Sequence, residues 1–194
     1  RYPTFDLHAH PGRVFMAGAQ HSAFVDSYAQ LDPDSAIADM RRGGLAGAVF
    51  ATVADLPVLG KTERGLGAIR AFAPGEAHDD YRRQIDAARA LFAANDITLA
   101  RSGADIRAAH PSDRPAGFTS VEGGDFIEDR LDRIAQAAAL GVRSITIIHY
   151  RVNQIGDTQT EAPVHGGLTP LGRATIKAME DAGGLVDLSH ASFH

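Results

Sequence analysis

The chain has 194 residues, with 19 Lys and Arg against 24 Asp and Glu, a formal net charge of -5, no Trp and 44% hydrophobic residues, the composition of one ordinary globular domain. The mild acidity and the lack of any basic run give nucleic acid no electrostatic footprint. With no Cys, disulfides and thiolate metal sites are excluded, so any metal must be held by His and carboxylates.

Taken in chain order, Thr4 to His10 (TFDLHAH) reads as a first strand. Asp32-Pro33 opens a helix that Gly43-Gly44 ends, and Leu45 to Val53 (LAGAVFATV) follows as a second strand. A helix from about Asp79 to Ala94 should bury Ile85, Ala88 and Phe92. Ile97 to Ala100 and Gly117 to Glu122 are the third and fourth strands. Asp125 with Glu128 forms a capping-box pattern ahead of Ile127, Leu131, Ile134 and Ala138, predicting a helix that stops at Gly141. Val142 to His149 is the fifth strand. Thr169 caps and Pro170 begins a helix whose face Leu171, Ala174, Ala178 and Ala182 runs to Gly183-Gly184, before a sixth strand, Leu185 to His190.

Strands alternating with helices predict a parallel α/β fold, and runs that are apolar on both parities suit strands covered on both faces. The connections Pro11 to Leu31, Asp55 to Ala77 and Tyr150 to Leu168 are long and polar and all follow strands, on the side where a barrel keeps its active site. The expected fold is therefore a (β/α)8 TIM-type barrel in one domain, residues 1–194, with about six of eight strand-helix units present; an open doubly wound sheet is the alternative. No stretch reaches the roughly 18 apolar residues of a membrane span, so no transmembrane segment is expected. The opening Arg1-Tyr2-Pro3 suggests a lost leader or N-terminal segment.

The chemistry-bearing residues gather at strand ends. In Asp6-Leu7-His8-Ala9-His10, alternation turns residues 6, 8 and 10 to one face, so His8 and His10 point at one divalent ion. Glu122 ends the fourth strand before Gly123-Gly124, where a carboxylate could bridge two ions; its bland reading is a capping acid beside Asp125. His149 and His190 each close a strand read as otherwise buried, and parallel strands bring all these ends to one rim. His21, His78, His110 and His165 read as solvated, His194 as a chance neighbour of His190, and Asp187 as structural. A two-metal site of His8, His10, Glu122 and His190 would acidify a shared water, which makes hydrolysis the natural reaction class. The chain has neither a phosphate loop with its Lys nor a Gly-x-Ser-x-Gly elbow, and Gly65-Leu66-Gly67 is too weak for a dinucleotide site.

With those residues assembled, the chain resembles the membrane (renal) dipeptidase family of zinc peptidases, family M19. The resemblance runs through Asp6 to His10, Val121-Glu122-Gly123-Gly124, Ala139 to Arg143 and on to His149, Gly167-Leu168-Thr169-Pro170-Leu171-Gly172-Arg173, and Leu185 to His190. It implies two zinc ions, His8 and His10 on one, His190 on the other, Glu122 bridging, with a bridging hydroxide attacking the amide of a dipeptide. His149 matches the histidine that contacts substrate and steadies the developing oxyanion. The family has Asp where this chain has His10, which makes the site one unit more positive. Its further zinc histidine, a substrate-binding arginine and an acidic proton shuttle come from segments later than any here. The chain thus reads as roughly the first half to two-thirds of such an enzyme. Hydrolysis of a lactone or an N-acyl amino acid, or a non-catalytic metal-binding barrel, are the competing readings. The resemblance leaves homodimerisation open, and localisation too, with the cytoplasm preferred over export.

Overall fold

The computed structural model describes residues 4–27, 31–110 and 114–193, so Arg1-Tyr2-Pro3 and His194 lie outside the described residues. In chain order the regular elements are β1 (Thr4–Ala9), α1 (Ala23–Asp26), α2 (Pro33–Gly43), β2 (Leu45–Val53), β3 (Leu59–Thr62), β4 (Gly65–Ala68), α3 (Glu76–Ala94), β5 (Thr98–Leu99), α4 (Gly103–Ala109), β6 (Ala116–Glu122), α5 (Asp132–Ala139), β7 (Val142–Thr146), α6 (Pro170–Asp181) and β8 (Leu185–Asp187). Six strands form one sheet in the order β1-β2-β6-β7-β8, with β5 set against β6. Every pairing in it is parallel. The parallel sheet is the one that the alternation of strands and helices predicts, and it curls as a half-barrel, as the expected partial barrel requires.

Strand β6 is the spine. One edge pairs with β2 along its whole length, from Gly47 opposite Ala116 to Val53 opposite Glu122. The other edge holds β5 at Ala116 and Gly117, then β7 from Thr119 onward. The third predicted strand is thus a two-residue stub rather than a full stave. The fifth and sixth strands also stop early, at Thr146 and Asp187, three residues short of their histidines. Beyond Thr146 the carbonyls are taken by a turn instead of a strand, since Gly123 N–H donates to Thr146 and Gly124 N–H to Ile147.

Two helix starts follow their local chemistry as read. Asp32 accepts from Ser35 N–H ahead of Pro33, and α2 ends on Gly44 at φ 66°. Thr169 accepts from Gly172 N–H ahead of Pro170. Helix α3 begins at Glu76, three residues before the predicted start, and buries Ile85, Ala88 and Phe92 as expected. The capping box at Asp125 and Glu128 is a misreading. Residues Gly124–Ile127 form a 3-10 turn, Glu128 sits at φ 53°, and α5 starts only at Asp132. Asp125 turns inward, buried, where Arg151 and Asn153 bond to it, while Glu128 pairs with Arg133 at 2.8 Å and accepts from Gly75 N–H.

Helices cover the sheet through two apolar layers. One joins Tyr81, Ile85, Phe126, Ile134, Ile145 and Met179, with Tyr81 and Phe126 stacked at 4.2 Å. The other packs Ile37, Met40, Phe50, Leu91, Phe92 and Ile97, with Phe50 edge-on to Phe92 at 4.6 Å. The three long connections are structured as well. The first holds a 3-10 segment at Pro11–Met16 and α1, and the second holds the β3–β4 hairpin. The third winds around buried Asp157, which accepts backbone N–H bonds from Val164, His165 and Gly167 at 2.8 to 3.1 Å. Burial alone would raise the Asp157 pKa, but those donors outweigh it and hold it at about 2. Among the described residues no helix is long and apolar enough to cross a membrane.

Candidate metal centre

Parallel strands deliver their C-terminal ends to one rim, and β6 sets the centre of that rim. Glu122, its last residue, is only 6% exposed. Each of its oxygens faces an imidazole from the end of β1: His8 Nε2 lies 3.2 Å from Oε1 and His10 Nε2 lies 3.2 Å from Oε2. A register irregularity in β1 between Asp6 and Ala9 precedes His10. His149 comes from the segment after β7, with Nε2 at 3.6 Å from Glu122 Oε1. His190, beyond β8, brings its ring to 4.8 Å from that of His149. Two groups of donor atoms result, each drawn together within 4.8 Å: His8, His10 and Glu122, and then Glu122, His149 and His190.

The ring chemistry suits ligands. His10 Nδ1 lies 3.1 Å from the Ala51 carbonyl, which must receive a proton from it, so Nε2, which faces Glu122, is the nitrogen that would take an ion on losing its own proton. His190 adopts φ 68°, in the left-handed region, and its Nδ1 is buried without a hydrogen-bond partner. A buried imidazole nitrogen with no partner is what a bound ion would satisfy. The donor set of imidazoles around one carboxylate therefore fits divalent metal of the zinc type.

The charges are strongly coupled. Burial disfavours ionised Glu122, but the hydrogen bond from His10 and the positive character of His149, His10 and His8 outweigh it and lower its pKa. Burial likewise opposes charging of His10 and His149; Glu122 and the Ala51 carbonyl raise the first, and Asp55 chiefly raises the second. At His190, burial and then the neighbouring His149 depress the pKa, keeping that ring neutral.

A cavity of about 530 Å³ opens over this cluster. Its walls include His10, Glu122, His149, Tyr150 and His190, with Phe15, Leu56 and Leu59 as an apolar side. Asp187 stays outside, accepting from Thr146 Oγ1 at 2.7 Å and from Ser189 N–H at 2.9 Å, a tie between β7 and β8. His21 pairs with Asp26 on the surface, whereas His78, read as solvated, has its Nδ1 buried near Tyr81.

One site residue escaped the sequence reading. Asp55, fully buried two residues after β2, accepts from His149 Nδ1 at 2.7 Å and from Tyr150 N–H at 3.0 Å. The signal was available, since Asp55 occupies a strand end like Glu122, but it opens a long polar connection and reads there as a loop acid.

The model of the membrane dipeptidase family, peptidase family M19, matches residues 1–194. The chain belongs to that family. Dipeptidase verJ of Clonostachys rogersoniana is 36% identical over 97 residues, which cover 50% of this chain and 25% of that protein. Among solved structures, the dipeptidase AC, a metallopeptidase, superposes with a TM-score of 0.74 at 22% identity, covering 98% of this chain and 57% of that one. A metallopeptidase from Rhodobacter sphaeroides, liganded with a phosphinate mimic of the dipeptide L-Ala-D-Ala, gives 0.73 at 20% identity over 98% and 59%. The chain thus spans under two-thirds of the length of the family structures it matches, and those likenesses carry the fold.

Proposed function

We propose that the protein bearing this chain is a zinc-dependent dipeptidase, with His8, His10 and Glu122 holding one ion and Glu122 and His190 the other. The observation that carries the reading is a buried carboxylate with an imidazole nitrogen 3.2 Å from each oxygen, in a chain of the membrane dipeptidase family. When bound, the metal pair supplies Lewis acidity, polarising the amide carbonyl and acidifying the water that attacks it. The chain's own groups prepare that event. His10 is fixed by the Ala51 carbonyl, and Glu122 is kept ionised by the surrounding imidazoles. Phe15, Leu56 and Leu59 give one side of the cavity an apolar wall. His149 directs Nε2 at the centre, placed to donate to the amide oxygen as it gains negative charge.

The test is turnover by the zinc-loaded, full-length protein on L-Ala-L-Ala and L-Ala-D-Ala, with N-acetyl-L-alanine and a homoserine lactone alongside. Cleavage of a dipeptide in preference to the last two is the expected result. Cleavage of only the N-acyl amino acid or the lactone would replace the peptidase reading with another amidohydrolase reaction, and no cleavage at all would sink both.

A further inference from the structure

We propose that Asp55 is a positioning residue for His149, fixing the ring so that Nδ1 carries a proton and Nε2 faces the reacting centre. The inference rests on the substrate-contacting role given to His149 above.

The argument begins with burial. A carboxylate with no exposed surface is expensive unless its oxygens are matched, and here each oxygen has a different donor. Oδ1 takes His149 Nδ1 at 2.7 Å, and Oδ2 takes Tyr150 N–H at 3.0 Å. A backbone N–H donates and never accepts, so the Tyr150 bond fixes which way the carboxylate faces. The oxygen left for His149 then requires a proton on Nδ1, so a ring that also donates to substrate through Nε2–H is protonated at both nitrogens.

The carboxylate is itself rigidly mounted. Ala54 N–H donates to the Glu122 carbonyl at 2.8 Å, and Val58 N–H to the Asp55 carbonyl at 3.0 Å. Asp55 therefore spans from the end of β2, across the end of β6 that carries Glu122, to the segment after β7 that carries His149. The His149 backbone is held separately, its carbonyl accepting from Thr158 Oγ1 at 3.0 Å. Among the described residues, Asp55 is the hydrogen-bond partner that orients the ring.

Asp55→Asn separates positioning from mere tethering. The asparagine carbonyl oxygen can still take Tyr150 N–H, which turns the amino group to His149 Nδ1; that nitrogen must then accept, so the ring keeps only its Nε2 proton and loses its positive charge. The experiment labels the histidines of the zinc-loaded, full-length protein with ¹⁵N and reads His149 Nδ1 by long-range proton–nitrogen NMR, with zinc content and kinetics on L-Ala-D-Ala. The expected result is a protonated Nδ1 in the parent and an unprotonated one in Asp55→Asn, zinc content unchanged, kcat lower by about 10- to 100-fold and KM little altered. On a His149→Ala background the same substitution should change kcat less than about twofold, because the ring it acts through is gone.

An Asp55→Asn protein that keeps Nδ1 protonated overturns the proposal. So does a kcat loss of the same size with and without the His149 ring, which would mark Asp55 as a structural tie. If His149→Ala alone leaves turnover intact, the substrate role of His149 fails instead, and the protonation state of Nδ1 still decides whether Asp55 sets the ring.

Discussion

A single methyl group added at Gly172 should destabilise the protein, although the same change elsewhere in a helix usually helps. Gly172 is buried in the first turn of α6, and a Cβ there would lie 2.2 Å from the Ile155 carbonyl oxygen and 3.1 Å from its carbonyl carbon. Carbon and carbonyl oxygen do not approach below about 3.3 Å without repulsion, so the helix start must retreat by roughly 1 Å. Retreat strains the cap, because Thr169 Oγ1 accepts from Gly172 N–H at 2.9 Å while donating to the Gln154 carbonyl at 2.7 Å. Overpacking of this kind costs about 1–3 kcal/mol and a weakened cap about 1 kcal/mol more, against a gain of about 1 kcal/mol in helix propensity. The net loss is on the order of 1–3 kcal/mol, which lowers a urea midpoint by about 0.5–1.5 M. Gly43→Ala is the matched control: its Cβ would meet only Leu45 Cδ1 at 3.7 Å, and it should gain about 0.4–1 kcal/mol. Urea unfolding of both variants, followed by far-ultraviolet circular dichroism, measures the two shifts. Shifts of the same sign would refute the claim that close approach to Ile155 is what demands glycine at 172.

Three further outcomes follow from the site and its supports. Glu122→Gln removes the charge shared by both donor groups and should abolish binding of the zinc pair, measured as metal content by mass spectrometry; retention of two ions per chain would refute its bridging role. His190→Ala should leave one ion in place, held by His8, His10 and Glu122, whereas His8→Ala combined with His10→Ala should empty that position and leave the ion at Glu122 and His190, both read as metal content. Asp157 has a folded pKa of about 2 against an ordinary value of 3.8, so its contribution to stability is complete above pH 4 and is lost as the pH falls toward 2. Replacing it with Asn should flatten the acid limb of a urea-midpoint profile over that window, and an unchanged slope would count against the loop anchor.

What the sequence made legible was whatever a short segment decides by itself. The caps at Asp32 and Thr169 and the glycine stops at Gly44 and Gly183 depend on neighbours a few residues away, and they stand where their local chemistry puts them. The capping box Ser102 to Asp105 at the start of α4 is equally local. The β3–β4 hairpin was harder to see, because its strands are four residues each and run through Gly60, Gly65 and Gly67. Asp125 shows tertiary structure overriding a good local pattern. Its partners Arg151 and Asn153 are 26 and 28 residues away, and they draw inside a side chain that the capping reading left at a helix end.

The candidate site divides along the same physical line. His8, His10, Glu122, His149 and His190 were found because parallel strands have one rim, and a residue type with a position near a strand end is enough to place it there. The strands themselves end early at β7 and β8, yet the histidines still reach the rim, because the chain beyond Thr146 remains bonded across to the Gly123-Gly124 turn and Ile147 N–H to Asp187. That pairing also explains the two glycines. Gly123 has φ 96°, which favours glycine, and a Cβ on Gly124 would lie 3.1 Å from the Ile147 carbonyl oxygen and press on the Ile155 side chain, so side chains would crowd the turn under His149. Asp55 shares the strand-end position, but its role is not legible from it: its contact with His149 joins residues 94 apart, and no rule of spacing connects them. Which side chains reach the rim is written into strand ends, whereas the way their rings are turned is written between connections that meet only once the sheet has formed.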